Sequence, residues 1–423
     1  MLNKNIKLFL VLIGLTFQCY SYSLLSVLAL EVGRSLLVSK TSSVDLTEIL
    51  KQVFGVIAIS VWLKPFISYF IGKIGDVKGI KHAAKISWLV SGTSVAIFGL
   101  IPSYDLVGNL SIVLFITLRL IMVGFFTSGL DSIKIFIFEA FKKKGYAEGI
   151  ISVASMTGPL LASIAAYLIN VYNDFHYGWR IAFILGGTMN IALLMIMLKY
   201  NILVEPVRAK KEELELYKSM SLAKIALKHY KVLILTILIM SCQGGMYQFL
   251  SSFIVNYISS LLKIIPITEI KLHQNTMIMF YMISSVVAGI LYECVSSRRI
   301  LMATIAIIVI LSASYILFGI FNNKFEMMSY FLMGCSLGGI TTLIMAEIKS
   351  IIPKVIRCRM FGLCHAVGSA LVSGPTCFYC MYLYKKSNKL PMVYFLSLIL
   401  ICITSYFTLS YISKKNERNK EIV

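Results

Sequence analysis

Apolar residues run along this chain in long uninterrupted segments separated by short polar ones, and the length of those segments predicts the elements. A hydrocarbon layer of ~30 Å takes roughly 20 helical residues to cross. Twelve stretches reach that length, at about 8–31, 50–72, 84–103, 111–139, 147–170, 178–198, 232–257, 275–293, 300–321, 327–347, 360–384 and 391–413. None alternates with period two, which sets aside a transmembrane β-barrel. The expected fold class is an all-α membrane protein, a bundle of twelve transmembrane helices.

The one long polar interruption, Tyr200 to Lys231, divides the spans six and six. Its mixed charges and its apolar residues three and four apart suit an amphipathic helix at the membrane surface, and equally a solvated tether. Two landmarks repeat across it. Gly72 and Asp76 after the second span are matched by Gly289 and Glu293 after the eighth, 217 residues on, and Gly158-Pro159 by Gly374-Pro375, 216 residues on. Agreement within one residue points to duplicated halves, a common architecture of transporters. The expected organisation is a six-helix half at 1–199, a linker at 200–231, a second half at 232–413 and a basic tail at 414–423.

Composition agrees, with 58% hydrophobic and 14% charged residues among 423, well away from globular averages. The formal charge of +21 changes the picture only as topology. Nucleic-acid binding needs basic residues gathered on a soluble face, whereas here they fall in short segments between spans. With both termini inside, cytoplasmic segments hold 27 of the 40 lysines and arginines and external ones 10, leaving Lys64, Arg119 and Lys134 within spans. That asymmetry places both termini in the cytoplasm. The N-terminal apolar run is too long for a signal-peptide core and reads as a retained first span.

The stretch Gly72 to Lys85, GKIGDVKGIKHAAK, carries the densest chemistry. Glycines at 72, 75 and 79 suit a tight reversal and close backbone contact. Lys73, Lys78, Lys81 and Lys85 surround one acid, Asp76, which is placed to cap a helix or tie one helix to another. Ionisable groups inside spans cost roughly 2.5–3.5 kcal/mol on insertion scales and usually face a cavity or a partner. Lys64 and Arg119 are such groups, and a guanidinium suits either a carboxylate ligand or a helix-to-helix tie. Asp131 and Lys134, three apart, suit a neutralised pair. Glu139 abuts Lys142 to Lys144 and reads as an interfacial charge clamp.

His365 is of the residue type that changes charge near neutral pH, and serves either proton handling or structure. Gln18, Tyr20 and Tyr22 in the first span and Gln243, Tyr247 and Gln248 in the seventh form matching polar sets. They suit a cavity for a zwitterion, with aromatic faces for an ammonium group, or helix packing by polar side chains. Nine cysteines lie mostly in apolar stretches, and the Cys377–Cys380 pair lacks the second pair that a zinc site takes. No nucleophile constellation or phosphate loop suggests an enzyme.

Twelve spans in two halves, with Gly72, Gly75, Asp76, Gly79 and Lys81 after the second, resemble the major facilitator superfamily, Ile80 standing where that family has Arg. Within it, IPSYDLVGN at 101–109, Arg119 with Glu139, GWRIAF at 178–183 and IPKVIRCRMFG at 352–362 resemble the metabolite:proton symporters, which include proline/betaine transporters. The resemblance implies a secondary transporter of the inner or plasma membrane. It implies a proline- or betaine-like cargo, the proton as coupling ion, no cofactor, a lipid bilayer around a monomer, and no nucleic-acid partner. In that reading Arg119 and Lys64 position the substrate, and Asp131 or Glu139 carries the proton. The chain departs from the family in its first span, where Gln18 to Ser21 replace acidic positions, at Lys64-Pro65, at Met122-Val123, at Thr127 to Gly129 and at His365-Ala366. These departures leave two alternatives, a uniporter or exchanger without proton coupling, and a non-transporting sensor that keeps the fold.

Overall fold

The computed structural model describes residues 3–39, 46–171, 177–203, 222–295, 297–321, 327–387 and 389–421. Twelve long helices run through them with no strand among the described residues. They are α1 (Lys4–Val27), α2 (Leu46–Ser60, continued through Val61–Leu63 into Lys64–Lys78), α3 (Ile80–Phe98), α4 (Asn109–Ala140), α5 (Lys144–Val171) and α6 (Gly178–Lys199). The second set is α7 (Leu222–Gln248, continued by π turns to Leu261), α8 (Ile267–Cys294), α9 (Arg298–Phe321), α10 (Met327–Ile351), α11 (Arg357–Gly368, continued to Lys386) and α12 (Leu390–Glu421). Most of the linker lies outside the described residues. Its last part is helical from Leu222 and joins α7 across a break at His229.

Eleven of these helices are long and apolar enough to cross a membrane. The exception is α3, in which Lys81, His82, Lys85 and several serines dilute the apolar residues. It packs against α4 and α6 by a face on which Ala83, Ala84, Ser87, Ser91, Gly92 and Ser94 are buried beside Ile80, Trp88, Val95 and Phe98, while Ile86, Leu89 and Ile97 are exposed. Small residues let backbones approach closely where lipid gives no hydrophobic drive for helix association.

One packing diagram occurs twice. The contacts α1–α5, α2–α4, α3–α4 and α1–α6 recur as α7–α11, α8–α10, α9–α10 and α7–α12. Across the two sets, α2 packs along α11 and α5 along α8. The stretch read as a glycine-rich loop is mostly helix. Gly72, Gly75 and Asp76 belong to the last turns of α2, and only Gly79 (φ 101°) leaves the helical region, in a reversal that starts α3 one residue later. The other two glycines serve contact rather than turning. A Cβ at Gly72 would sit 2.7 Å from the Arg359 Cα, and one at Gly75 3.4 Å from the Cys358 Cβ.

At the opposite end, the guanidinium of Arg180 opens α6 and closes α3. Its Nη1 donates to the carbonyls of Gly99 (3.2 Å) and Ile101, while its plane lies 4.4 Å from the Trp179 ring. Carbonyls left over at a helix C-terminus are natural partners for a cation. The contact ties the GWR stretch to the first residue of IPSYD.

The tightest backbone approach within the first six helices is between α3 and α6, where a Cβ at Gly187 would meet Ala96 and lie 2.6 Å from the Gly92 carbonyl oxygen. Gly187→Val is therefore expected to cost about 1–3 kcal/mol, read as a lowered thermal unfolding midpoint of the purified chain. Gly55→Ala, where nothing lies within 4 Å of the added Cβ, is expected to leave the midpoint unchanged.

Candidate functional site

Helices α2, α4, α8 and α10 end, and α3, α5, α9 and α11 begin, at one end of the bundle. The charges gathered there link one set of six helices to the other. The first turn of α11 has no side-chain cap of its own, so its leading N–H groups need acceptors from elsewhere. Asp76 supplies them from α2. Its carboxylate accepts from the N–H of Cys358 at 3.0 Å and of Arg359 at 3.1 Å, with Arg359 Nε 3.5 Å away. A carboxylate at a helix N-terminus also meets the positive end of the helix dipole.

The matched residue in the second set does the same in reverse. Glu293 at the end of α8 accepts from the N–H of Gly145 at 2.7 Å, in the first turn of α5. Two helices are thus capped in trans, each by the other set. Around them, Arg357 donates to the Ile352 carbonyl from Nε (3.1 Å) and Nη2 (2.9 Å), and to Glu139 from Nη1 (2.9 Å). Glu139 is therefore bound to α11 and not to its neighbours Lys142 to Lys144. Of those, Lys144 instead caps α4, donating to the carbonyls of Phe138 and Phe141. Lys81 donates to Asn201 at 2.6 Å and fastens α3 to the end of α6.

Above this tied end lies a cavity of about 170 Å³ lined from α4, α5, α7, α8, α10 and α11. Its charged residues are Asp131, Lys134, Glu148, Lys349 and His365, accompanied by Gln243, Tyr247, Tyr281 and Thr341. Both close ion pairs in it cross between the two sets. Lys349 of α10 meets Glu148 of α5 at 2.5 Å, their side chains 1% and 3% exposed, and His365 of α11 meets Asp131 of α4 at 2.8 Å. The aspartate thus pairs with histidine and not with Lys134, because α11 brings an imidazole onto the inner face of α4.

The cavity gathers Asp131, Gln243, Tyr247 and His365 from the candidates and omits five others. Lys64 and Arg119 lie together elsewhere, on Tyr22. Lys64 Nζ donates to the Tyr22 hydroxyl at 3.4 Å, and the Arg119 guanidinium lies 5.2 Å from the ring centroid, the other face of which stacks on Phe126. Two buried cations share one aromatic ring there, a cation–π arrangement that joins α1, α2 and α4. Gln18 is fully buried with neither amide atom hydrogen-bonded among the described residues. The Tyr20 hydroxyl reaches the Ala182 carbonyl of α6 at 3.5 Å. Glu139 belongs to the tied end described above.

Four residues of this region escaped the sequence reading. Glu148 and Lys349 fall at the margins of apolar runs, where a charge reads as interfacial, and Arg357 and Arg359 read as topogenic charge. All four are at most 5% exposed. The signal available in the sequence was an excess of charge at the matched starts of α5 and α11, which marks helix ends that meet protein and not only solvent.

Comparison with known proteins gives a consistent result. The model of the Major Facilitator Superfamily matches residues 10–375. The proline/betaine transporter of Escherichia coli (strain K12) is 22% identical over 357 residues, covering 80% of this chain and 70% of that protein. Among solved structures, the human organic anion transporter MFSD10 (TETRAN) superposes with a TM-score of 0.72 at 11% identity, covering 97% of this chain and 100% of that one. The proton:xylose symporter XylE gives 0.68 at 15% identity, covering 97% and 94%.

A buried charge stripped of its partner is costly. Lys349→Met, which leaves Glu148 unpaired, is expected to lose about 3–5 kcal/mol, seen as a lowered unfolding midpoint. Combining it with Glu148→Gln is expected to recover most of the loss. A double variant no more stable than the single one would show that the pair is not coupled.

Proposed function

Given that the chain belongs to the major facilitator superfamily and is a multi-pass membrane transporter of that fold, we propose that it carries a small zwitterionic or carboxylate metabolite across the inner or plasma membrane. A proline- or betaine-like solute is the cargo this reading names first. The distant likeness to a proline/betaine transporter supports the class, and so do the polar and aromatic residues of the cavity, Gln243, Tyr247 and Tyr281. The excess of lysine and arginine in alternate loops supports an arrangement with both termini in the cytoplasm. In it the tied end faces inward.

The observation that carries the reading is the cavity closed at one end by links between two repeated helix sets. Transport by alternating access needs a site shared by both sets and contacts that form at one end only. Here Asp76, Glu139 and Glu293 make those contacts at one end, and two ion pairs form the floor of the cavity above them. Releasing Asp76 from the first turn of α11 would free α2 to swing from α11. Lys64 and Arg119, away from the cavity, hold α1, α2 and α4 as one body. A proton is the coupling ion in this reading. A uniport or exchange reading has one observation in its favour, the lack of any carboxylate in α1.

Reconstituted in proteoliposomes, the chain is expected to take up labelled L-proline or glycine betaine, faster with an inward proton gradient than without one. Asp76→Asn keeps the shape and removes the charge, and is expected to lower the maximal rate several-fold with little change in KM. Uptake indifferent to the gradient would remove the proton from the cycle, and an undiminished rate in Asp76→Asn would remove the latch.

A further inference from the structure

The cavity holds five charged or chargeable side chains, and four of them are committed to one another. Glu148 is held by Lys349 and Asp131 by His365. The fifth, Lys134, lies one helical turn along α4 from Asp131, yet it makes no hydrogen bond or ion pair with any described residue. It lines the cavity together with Tyr247 and Tyr281. An ammonium inside a membrane bundle is expensive unless it has a partner, and an unpartnered one marks a binding site.

The charge of this cavity depends on His365. With a neutral imidazole, two carboxylates and two ammonium groups balance. With a proton on the ring, Asp131 is taken up by the imidazolium and Lys134 is left as an excess positive charge. A carboxylate from outside then restores neutrality. The groups facing the pair from the packed helices are Lys134 on its own helix, Glu148 of α5, Tyr247 of α7, Tyr281 of α8, Lys349 of α10 and the Cys19 thiol of α1. None besides His365 is an imidazole, the side-chain type that changes charge near neutral pH. The other imidazole–carboxylate pair among the described residues, His273 with Glu269, spans 3.6 Å within one helix, its acid 54% exposed, and links nothing across the cavity.

We propose that Lys134 and the Asp131–His365 pair form one linked site, at which the cargo's carboxylate is taken by Lys134 and a proton by His365, each favouring the other. The proposal rests on the transport reading and deepens it, because it gives the cargo an anionic group and the proton a place. Linkage makes the effect reciprocal. If the proton tightens carboxylate binding, then carboxylate binding draws in a proton. The zwitterion's cationic part is left for the faces of Tyr247 and Tyr281.

The test uses the full-length purified chain with L-proline, glycine betaine, 2-oxoglutarate and, as a cation without a carboxylate, choline. Dissociation constants are measured at pH 5.5 and 7.5, and proton uptake on binding is followed with a dye in weak buffer. At least one carboxylate probe is expected to bind about tenfold tighter at the lower pH and to draw a proton from solution, while choline does neither. His365→Gln is expected to bind with the same constant at both pH values. Lys134→Met is expected to bind at least tenfold more weakly at pH 5.5, with part of the loss recovered in Lys134→Arg.

Wild-type affinity that ignores pH, binding without proton uptake, a pH response that survives His365→Gln, or full affinity in Lys134→Met would each overturn the inference and leave the transport reading standing. Failure of all three carboxylates to bind the wild-type chain at either pH would sink the cargo class of the transport reading and this site with it. Should a variant fail to purify, proton uptake by the wild-type chain decides.

Discussion

A helix that begins inside a protein needs acceptors for its first N–H groups, and α11 has none of its own. Asp76 answers that need from the other set of helices, and much else follows. Its carboxylate reaches the N–H groups of Cys358 and Arg359 only if α2 and α11 lie nearly backbone to backbone. That distance is what Gly72 and Gly75 permit. The same solution in mirror form, Glu293 on the first turn of α5, holds α8 to α5 with glycines 145 and 289 facing one another. Hydrogen bonds to a charged acceptor contribute roughly 1.5–3 kcal/mol each. A closure built from a few of them holds firmly yet lies within reach of a ligand's binding energy.

Above the closure, burial decides what the charges do. Glu148, Lys349 and Asp131 have left water almost completely, so each must be paired. Their partners lie on the opposite set of helices. The floor of the cavity and the tie between the sets are therefore the same interactions. Anything that changes the charge of the floor changes how firmly the sets are held. By contrast, Lys64 and Arg119 of α2 and α4 gather on Tyr22, Lys64 at its hydroxyl and Arg119 beside its ring, with Arg119 Nε and Nη1 buried and not hydrogen-bonded among the described residues. Among the described residues they join α1, α2 and α4 and do not line the cavity.

The spans were legible because membrane thickness sets helix length, and boundaries fell within a few residues except where helices run beyond the apolar layer, as α7 does from Leu222. Asp76 and Glu293 were legible as a matched pair by their spacing alone. Their partners were not, since both accept from backbone N–H groups, which no side chain advertises. The Lys349–Glu148 pair was hidden for a related reason. Each residue sits at the margin of an apolar run, and only the packing of α5 against α8 and α10 turns a margin into an interior. Spacing along α4 favoured Asp131 with Lys134, and tertiary placement of α11 overrode it.

In the proposed transport cycle the Asp76 cap keeps one end closed while the other is free to move. Electron–electron distance measurement between spin labels at Lys78→Cys and Lys354→Cys, both exposed beside the cap, reads this closure. A second pair at Leu106→Cys and Lys263→Cys reports the opposite end, with the exposed Cys294 replaced in both. A short distance is expected at the first pair, giving way to a longer population when Asp76 becomes asparagine, as the second pair shifts to shorter distances. Unchanged distributions at both ends in Asp76→Asn would contradict it.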